Sequence, residues 1–242
     1  MRIAILSDIH ANLHALEATL AAVADEGADA VWCLGDTVGY GPRPNECCAL
    51  VADRAALCLA GNHDLAVAGG IPIDEFNGDA AAAIAWTQAE LDGAARAFLA
   101  GLAPSAVRPG VELFHGSPLD PVWDYVITEG SAYLSFRATK APLLLVGHSH
   151  VALALSFDGR DLGGGLAPAG ADVDLAAGRW LLNPGSVGQP RGGDPRASFL
   201  LIDEQAKRAT FHRVEYPVAA TQAEIRAQGL PAGLAARLAH GQ

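Results

Sequence analysis

Eight residues of metal-ligating or proton-carrying type stand at intervals along the chain: Asp8 and His10, Asp36, Asn62 and His63, His115, and His148 and His150. Asp8-x-His10 and His148-x-His150 share an i, i+2 spacing. In an extended backbone that spacing turns both side chains to one face, so each pair is expected to act as a two-toothed ligand for a cation. Three imidazoles and a carboxylate suffice for one zinc. Two carboxylates, an amide oxygen and four imidazoles suffice for two cations. Paired ions about 3.5–4 Å apart clamp the attacking and leaving oxygens of a displacement. A paired site needs one bridging carboxylate, and Asp36, in the middle of the set, is expected to supply it. Mixed nitrogen and oxygen ligands suit Mn, Fe, Zn, Co or Ni rather than Ca or a thiolate-selecting metal.

These residues follow apolar runs that read as strands. Arg2 to Leu6 stops at Ser7-Asp8, Ala30 to Leu34 at Gly35-Asp36, and Ala56 to Leu59 before Gly61-Asn62. Val111 to Phe114 ends at His115-Gly116, and Leu143 to Val146 at Gly147-His148. Between the first strands, Leu13, Leu16, Leu20 and Val23 keep helical spacing, with Asn12 as a cap and Gly27 after the end. Glu46 to Arg54 forms the next helix. Strand, helix, strand, helix, strand at this spacing predicts βαβ units and a parallel sheet. Side chains at the carboxyl ends of such strands converge on one crevice.

Farther along, Asp79 to Leu102 is Ala-rich and helical, and Ser131 to Arg137 reads as a helix. Ala152 to Phe157, Arg179 to Leu182, Ser198 to Ile202 and Thr210 to Val214 read as later strands, antiparallel in the main. Asp158 to Ala171 is Gly-rich and expected to be a hairpin loop. The result is one α/β domain over residues 1–216 with a helical C-terminal appendage over residues 217–242.

Composition narrows the function classes. The 242 residues are 51% hydrophobic and 18% charged, which excludes a disordered tail. No run of eighteen apolar residues predicts a membrane span. The opening segment has an acid at Asp8 and no small-residue cleavage site, so a cytoplasmic location is expected. A net charge of -11 argues against general binding to a nucleic acid backbone. Cys33, Cys47, Cys48 and Cys58 form no C-x-x-C pair, which argues against a structural zinc cluster.

The blocks Asp8-Ile9-His10, Gly35-Asp36, Gly61-Asn62-His63-Asp64 and Gly147-His148-Ser149-His150, with His115 between the last two, resemble those of the calcineurin-like metallophosphoesterases. Asn183-Pro184-Gly185-Ser186-Val187-Gly188-Gln189-Pro190-Arg191 resembles the small bacterial and archaeal phosphodiesterase branch. Ala11 stands where many relatives carry Gly. The resemblance implies a four-layer α-β-β-α sandwich, with two mixed sheets face to face and helices outside. It implies one metal at Asp8, His10, Asp36 and His150, and another at Asp36, Asn62, His115 and His148. His63 would stand above the pair, near the leaving group.

The implied reaction is hydrolysis of a small phosphoester, with in-line attack by a metal-bridging hydroxide and His63 as general acid. Asp36 and His63 are therefore the catalytic pair. The cofactors would be two divalent transition-metal ions, Mn²⁺ preferred, with Fe, Zn, Ni or Co as alternatives. Arg191, in a Gly- and Pro-flanked loop, is a candidate to hold a phosphate oxygen. A phosphodiesterase is the preferred reading. The alternative is a phosphomonoesterase or phosphoprotein phosphatase, although the Asp-Arg-Gly and Asn-His-Glu blocks of that branch are replaced here by Asp36-Thr37-Val38 and Asn62-His63-Asp64. A non-catalytic protein-binding scaffold of the same fold is the third reading, set aside because every ligand position is filled. Oligomerisation is left open.

Overall fold

The computed structural model describes residues 1–242. Its elements run β1 (Arg2–Leu6), α1 (Leu13–Asp25), β2 (Ala30–Cys33), α2 (Pro44–Arg54), β3 (Ala55–Cys58) and α3 (Asn62–Val67). A 3-10 turn at Ile73–Glu75 leads to α4 (Gly78–Glu90), α5 (Gly93–Ala100), β4 (Ser105–Arg108), β5 (Val111–Phe114), α6 (Glu129–Ala138) and β6 (Leu143–Leu145). The chain ends with β7 (Ala152–Phe157), β8 (Leu162–Leu166), β9 (Asp172–Asp174), β10 (Arg179–Pro184), β11 (Ala197–Asp203), β12 (Arg208–Val214), α7 (Val218–Ala227) and α8 (Ala232–Leu238).

Two six-stranded sheets form, in the orders β3-β2-β1-β11-β12-β9 and β4-β5-β6-β10-β7-β8. Both are mixed. β1 is parallel to β2 and antiparallel to β11, and β10 is parallel to β6 and antiparallel to β7. Alternation along β1 explains the layers. Ile3 and Ile5 enter a core shared with Leu113, Leu145 and Leu182 of the second sheet. Ala4 and Leu6 point the other way, against Leu16 and Val23 of α1 and Val51 of α2. On the far face of the second sheet, Leu144 and Leu181 pack on Ala132 and Phe136 of α6. The order is therefore helix, sheet, sheet, helix, as the resemblance implied.

Local signals account for the helix starts. Asn12 caps α1 by accepting from the Ala15 amide at 3.2 Å, and its amide donates to the Gly188 carbonyl at 2.8 Å. Pro44 opens α2 at a position where its missing N–H costs nothing. The Ala-rich stretch expected as one helix is two, because Asp92 caps α5 by accepting from the Ala95 amide. The Gly-rich hairpin loop contains a strand: β8 pairs with β7 from Leu153↔Leu166 to Phe157↔Leu162. Three successive glycines have no β propensity of their own, so tertiary pairing at the sheet edge decides. β4 and β9 lacked a readable pattern for the same reason, being short edge strands.

The terminal helices share a core with the central part of the chain. Ile225, Leu230, Leu234 and Leu238 pack on Tyr40 and on Ala80 and Ala83 of α4.

Candidate metal centre

All eight chemistry-bearing residues meet, buried, at one end of the sandwich. They lie in loops just past β1, β2, β5 and β6, and at the start of α3. The loops are tied to one another by backbone. The Asp8 amide donates to the Gly35 carbonyl at 3.0 Å, His10 to Asp36 at 2.9 Å, and Gly147 to His115 at 2.9 Å. The expected extended alternation is not how the paired ligands converge. Asp8, His10, Asp36, His148 and His150 all have left-handed backbone, with φ between 50° and 62°. Strain of this kind costs on the order of 1–3 kcal/mol per residue and persists only where surroundings over-determine it.

The segment 183–189 is part of that support. Ser186 Oγ and the Gly188 amide both donate to the Asp8 carbonyl, at 2.7 and 3.0 Å. Asn183 Nδ2 donates to the Gly147 carbonyl at 2.7 Å. Gly188 admits no side chain, since a Cβ there would overlap the Ile9 carbonyl. Gly61 is constrained alike, because its Cβ would fall on the Asp36 carboxylate. Asp64 braces the same region: its carboxylate accepts from the amides of Gly61, Thr37 and Val38 at 3.0–3.2 Å.

Hydrogen bonds set the imidazole tautomers. Nδ1 of His10, His115 and His150 faces the carbonyls of Val38, Leu34 and Gln189 at 3.1, 2.9 and 2.7 Å. A carbonyl only accepts, so each Nδ1 carries the proton and each Nε2 offers a lone pair inward. Burial pushes the pKa of all three below the usual histidine range, so those rings are neutral. His10 Nε2 and His150 Nε2 then stand 3.0 Å apart with no proton between them. Asp8 Oδ1, 3.4 Å from His150 Nε2, has no hydrogen-bond partner. Converging buried acceptors without a donor are costly, and a cation among them removes the cost. The donor set therefore fits a divalent metal.

A second group adjoins the first. His115 Nε2 lies 3.2 Å from His148 Nδ1 and 3.2 Å from Asn62 Oδ1. Asp36 Oδ2 stands between the groups, 3.7 Å from His10 Nε2 and 3.5 Å from His115 Nε2. Its other oxygen accepts from the His63 amide at 2.9 Å. Burial, then Asp64 and Asp8, push the Asp36 pKa well up, and burial raises that of Asp8 against the pull of His115.

His63 belongs to the same cluster as His10 and Asp36. Burial, aided by His115 and Arg191, lowers its pKa to about 3. Its ring packs over Gly39, with Nδ1 unpartnered. The Arg191 charge reaches Asp8, His10, His63, His148 and His150, and the side chain touches Gln189 Oε1 at 3.4 Å.

Sequence patterns did not flag the rings around the cluster. Tyr40 lies 4.6 Å from His10 and 4.4 Å from His63 between ring centroids, and Tyr125 stacks on His148 at 3.9 Å. His14 lies outside the cluster, paired with Glu224 at 3.2 Å, and His212 stacks on Phe199.

The whole chain has close relatives. A protein of Methanocaldococcus jannaschii is 36% identical over 246 residues, covering 99% of this chain and 98% of the relative. A metallophosphoesterase from Sphaerobacter thermophilus, solved as a crystal structure, is 43% identical with a TM-score of 0.91, covering 100% of this chain and 99% of that one. A hypothetical protein from Pyrococcus horikoshii has the same fold, with a TM-score of 0.79 at 23% identity over 100% and 98% of the two chains. The family model of the calcineurin-like phosphoesterase superfamily domain matches residues 1–207, the stretch that carries every residue of the buried cluster, and the chain belongs to that superfamily.

Proposed function

We propose that the protein is a dinuclear metal-dependent phosphodiesterase. The observation that carries this reading is the position of Asp36 Oδ2 between two buried ligand groups, within 3.7 Å of His10 Nε2 and 3.5 Å of His115 Nε2. Asp8, His10, Asp36 and His150 would hold one cation, and Asp36, Asn62, His115 and His148 the other. Divalent cations supply, when bound, acidified water and an offset for charge on phosphoryl oxygens. Mn²⁺ is the preferred metal among those that suit such ligands.

The chain's own groups do the rest. The three Nδ1–H donations to backbone fix the rings so that Nε2 can ligate, a role that hydrogen-bonded carbonyls commonly fill for ligand histidines. Arg191 holds a phosphoryl oxygen and orients phosphorus. His63, with Nδ1 packed over Gly39, has Nε2 free to hand a proton to the leaving oxygen. The bare pocket keeps that ring neutral, and an anionic phosphoester seated beside it favours the charged form. An alkoxide leaves poorly without such a proton, whereas an activated aryloxide depends on it less.

Two measurements test the reading. The Mn²⁺-loaded protein is expected to contain two ions per chain and to turn over bis-p-nitrophenyl phosphate faster than p-nitrophenyl phosphate. A strong preference for the monoester overturns the diester assignment. His63→Ala is expected to keep its metal while slowing diesters with poor leaving groups by about 10²–10⁴-fold. Loss of both ions in that variant would make His63 a ligand instead.

A further inference from the structure

Aromatic rings from two distant segments meet beside His63 and lead from the buried cluster to the surface. Phe76, just after the 3-10 turn, stands edge-on to His63 with centroids 5.0 Å apart. Trp123, from the loop after β5, lies 5.0 Å from Phe76. Tyr125, two residues on, lays its ring on His148 at 3.9 Å and 23° and is still 44% exposed.

This loop is built, although it has no regular secondary structure. The Gly116 amide donates to the Pro121 carbonyl at 2.8 Å and the Ser117 amide to the Asp120 carbonyl at 2.9 Å. Ser117 Oγ donates to Asp124 Oδ2 at 2.6 Å, and Asp120 Oδ1 accepts from the Val122 and Trp123 amides at 2.9 and 3.0 Å. Both acids of the loop are thus occupied in shaping it. The side toward the cluster presents rings, and the Arg191 charge reaches the Tyr125 hydroxyl.

We infer that Phe76, Trp123 and Tyr125 form a subsite for a planar aromatic group on the leaving-group side of phosphorus. The substrate class is then a phosphodiester that carries an aryl or heteroaromatic ring, in preference to a plain alkyl diester. The inference rests on the phosphodiesterase reading, because His63 marks the leaving-group side. The physical reason is geometric. Flat rings offset-stack or meet edge to face with other flat rings, a gain beyond area burial that a puckered ring of equal size does not share.

The test compares two competitive inhibitors of bis-p-nitrophenyl phosphate hydrolysis by the Mn²⁺-loaded protein: phenyl methylphosphonate and cyclohexyl methylphosphonate. They match in charge and ring size and differ in planarity. The phenyl ester is expected to bind about two- to twelve-fold more tightly. That ratio should fall toward one in Trp123→Ala and in Phe76→Leu, the second of which keeps an apolar contact on His63. Metal content and thermal midpoint verify that both variants are folded and loaded. Equal inhibition constants in the unmodified protein overturn the subsite, as does a ratio that survives in both variants. If neither ester inhibits and no diester is hydrolysed, the phosphodiesterase reading falls first and the subsite falls with it.

Discussion

The two ends of the same strands are built on opposite terms. Past the carboxyl ends of β1, β2, β5 and β6 and at the start of α3, eight polar residues are buried, and five of them have left-handed backbone. At the other end the sheets part around a cleft of about 430 Å³, walled by Trp32, Val111, Leu143, Leu175, Trp180 and Ile202. Apolar burial there stabilises at about 25 cal/mol per Å². Desolvated carboxylates and facing imidazole lone pairs do the reverse at the polar end. One sheet pair thus separates what holds the fold from what the fold holds, and the inward lone pairs of the polar end suit cations.

The sharpest way to break that contrast is to remove the shared carboxylate. Asp36→Asn is expected to lose both ions and with them nearly all diesterase activity. The loss is also visible without turnover. Mn²⁺ at about 100 times its dissociation constant should stabilise the unmodified protein by about 2.7 kcal/mol for each ion bound. For a chain of this size that raises the thermal midpoint by roughly 5–10 °C. Asp36→Asn should show little of this rise, and a full rise with two ions per chain would remove Asp36 from its bridging place. The opposite end should respond in the opposite way. Ile202→Ala, in the core beside the cleft, is expected to cost about 2–5 kcal/mol of stability. Its metal content and turnover should stay near those of the unmodified protein. A selective fall in metal affinity in that variant would show that the two ends are coupled.

The same contrast governs what could be read from sequence. Alternation of Ile3 and Ile5 with Ala4 and Leu6 is a local pattern, so the layers were legible. The eight polar residues were legible because each interrupts or follows an apolar run. Their geometry was not. The left-handed turns at Asp8 and His148 exist because Ser186, Gly188 and Asn183, at least 35 residues away in sequence, hold the carbonyls beside them. No local propensity encodes such a brace. Burial of His63 beneath Tyr40 and Phe76 was equally hidden, since two loops and a ring from each must first come together. β8 was hidden for a simpler reason: glycine has no side chain with which to announce a strand.

The smallest effect concerns pH in the chelator-treated protein. Burial holds His63 and His148 to pKa values of about 3 and about 2, and it lowers His10, His115 and His150 as well. The unfolded chain takes up those five protons near pH 6.5, while the folded chain refuses them. Each imidazole therefore makes stability fall as pH drops below 6.5. Three carboxyls act with the other sign: Asp64, raised to about 6, and Asp8 and Asp36, also raised, are protonated in the folded state before the unfolded one. Five imidazoles outnumber three carboxyls, so the imidazole direction prevails below pH 6.5. The thermal midpoint of the metal-free protein should fall between pH 6.5 and 5. Mn²⁺ should restore it at pH 6.5 and lose that power toward pH 5, because protons and cations compete for the same lone pairs. A midpoint that is flat or rising toward acid would mean that the imidazoles are not held neutral, and the facing lone pairs that make room for a cation would be gone.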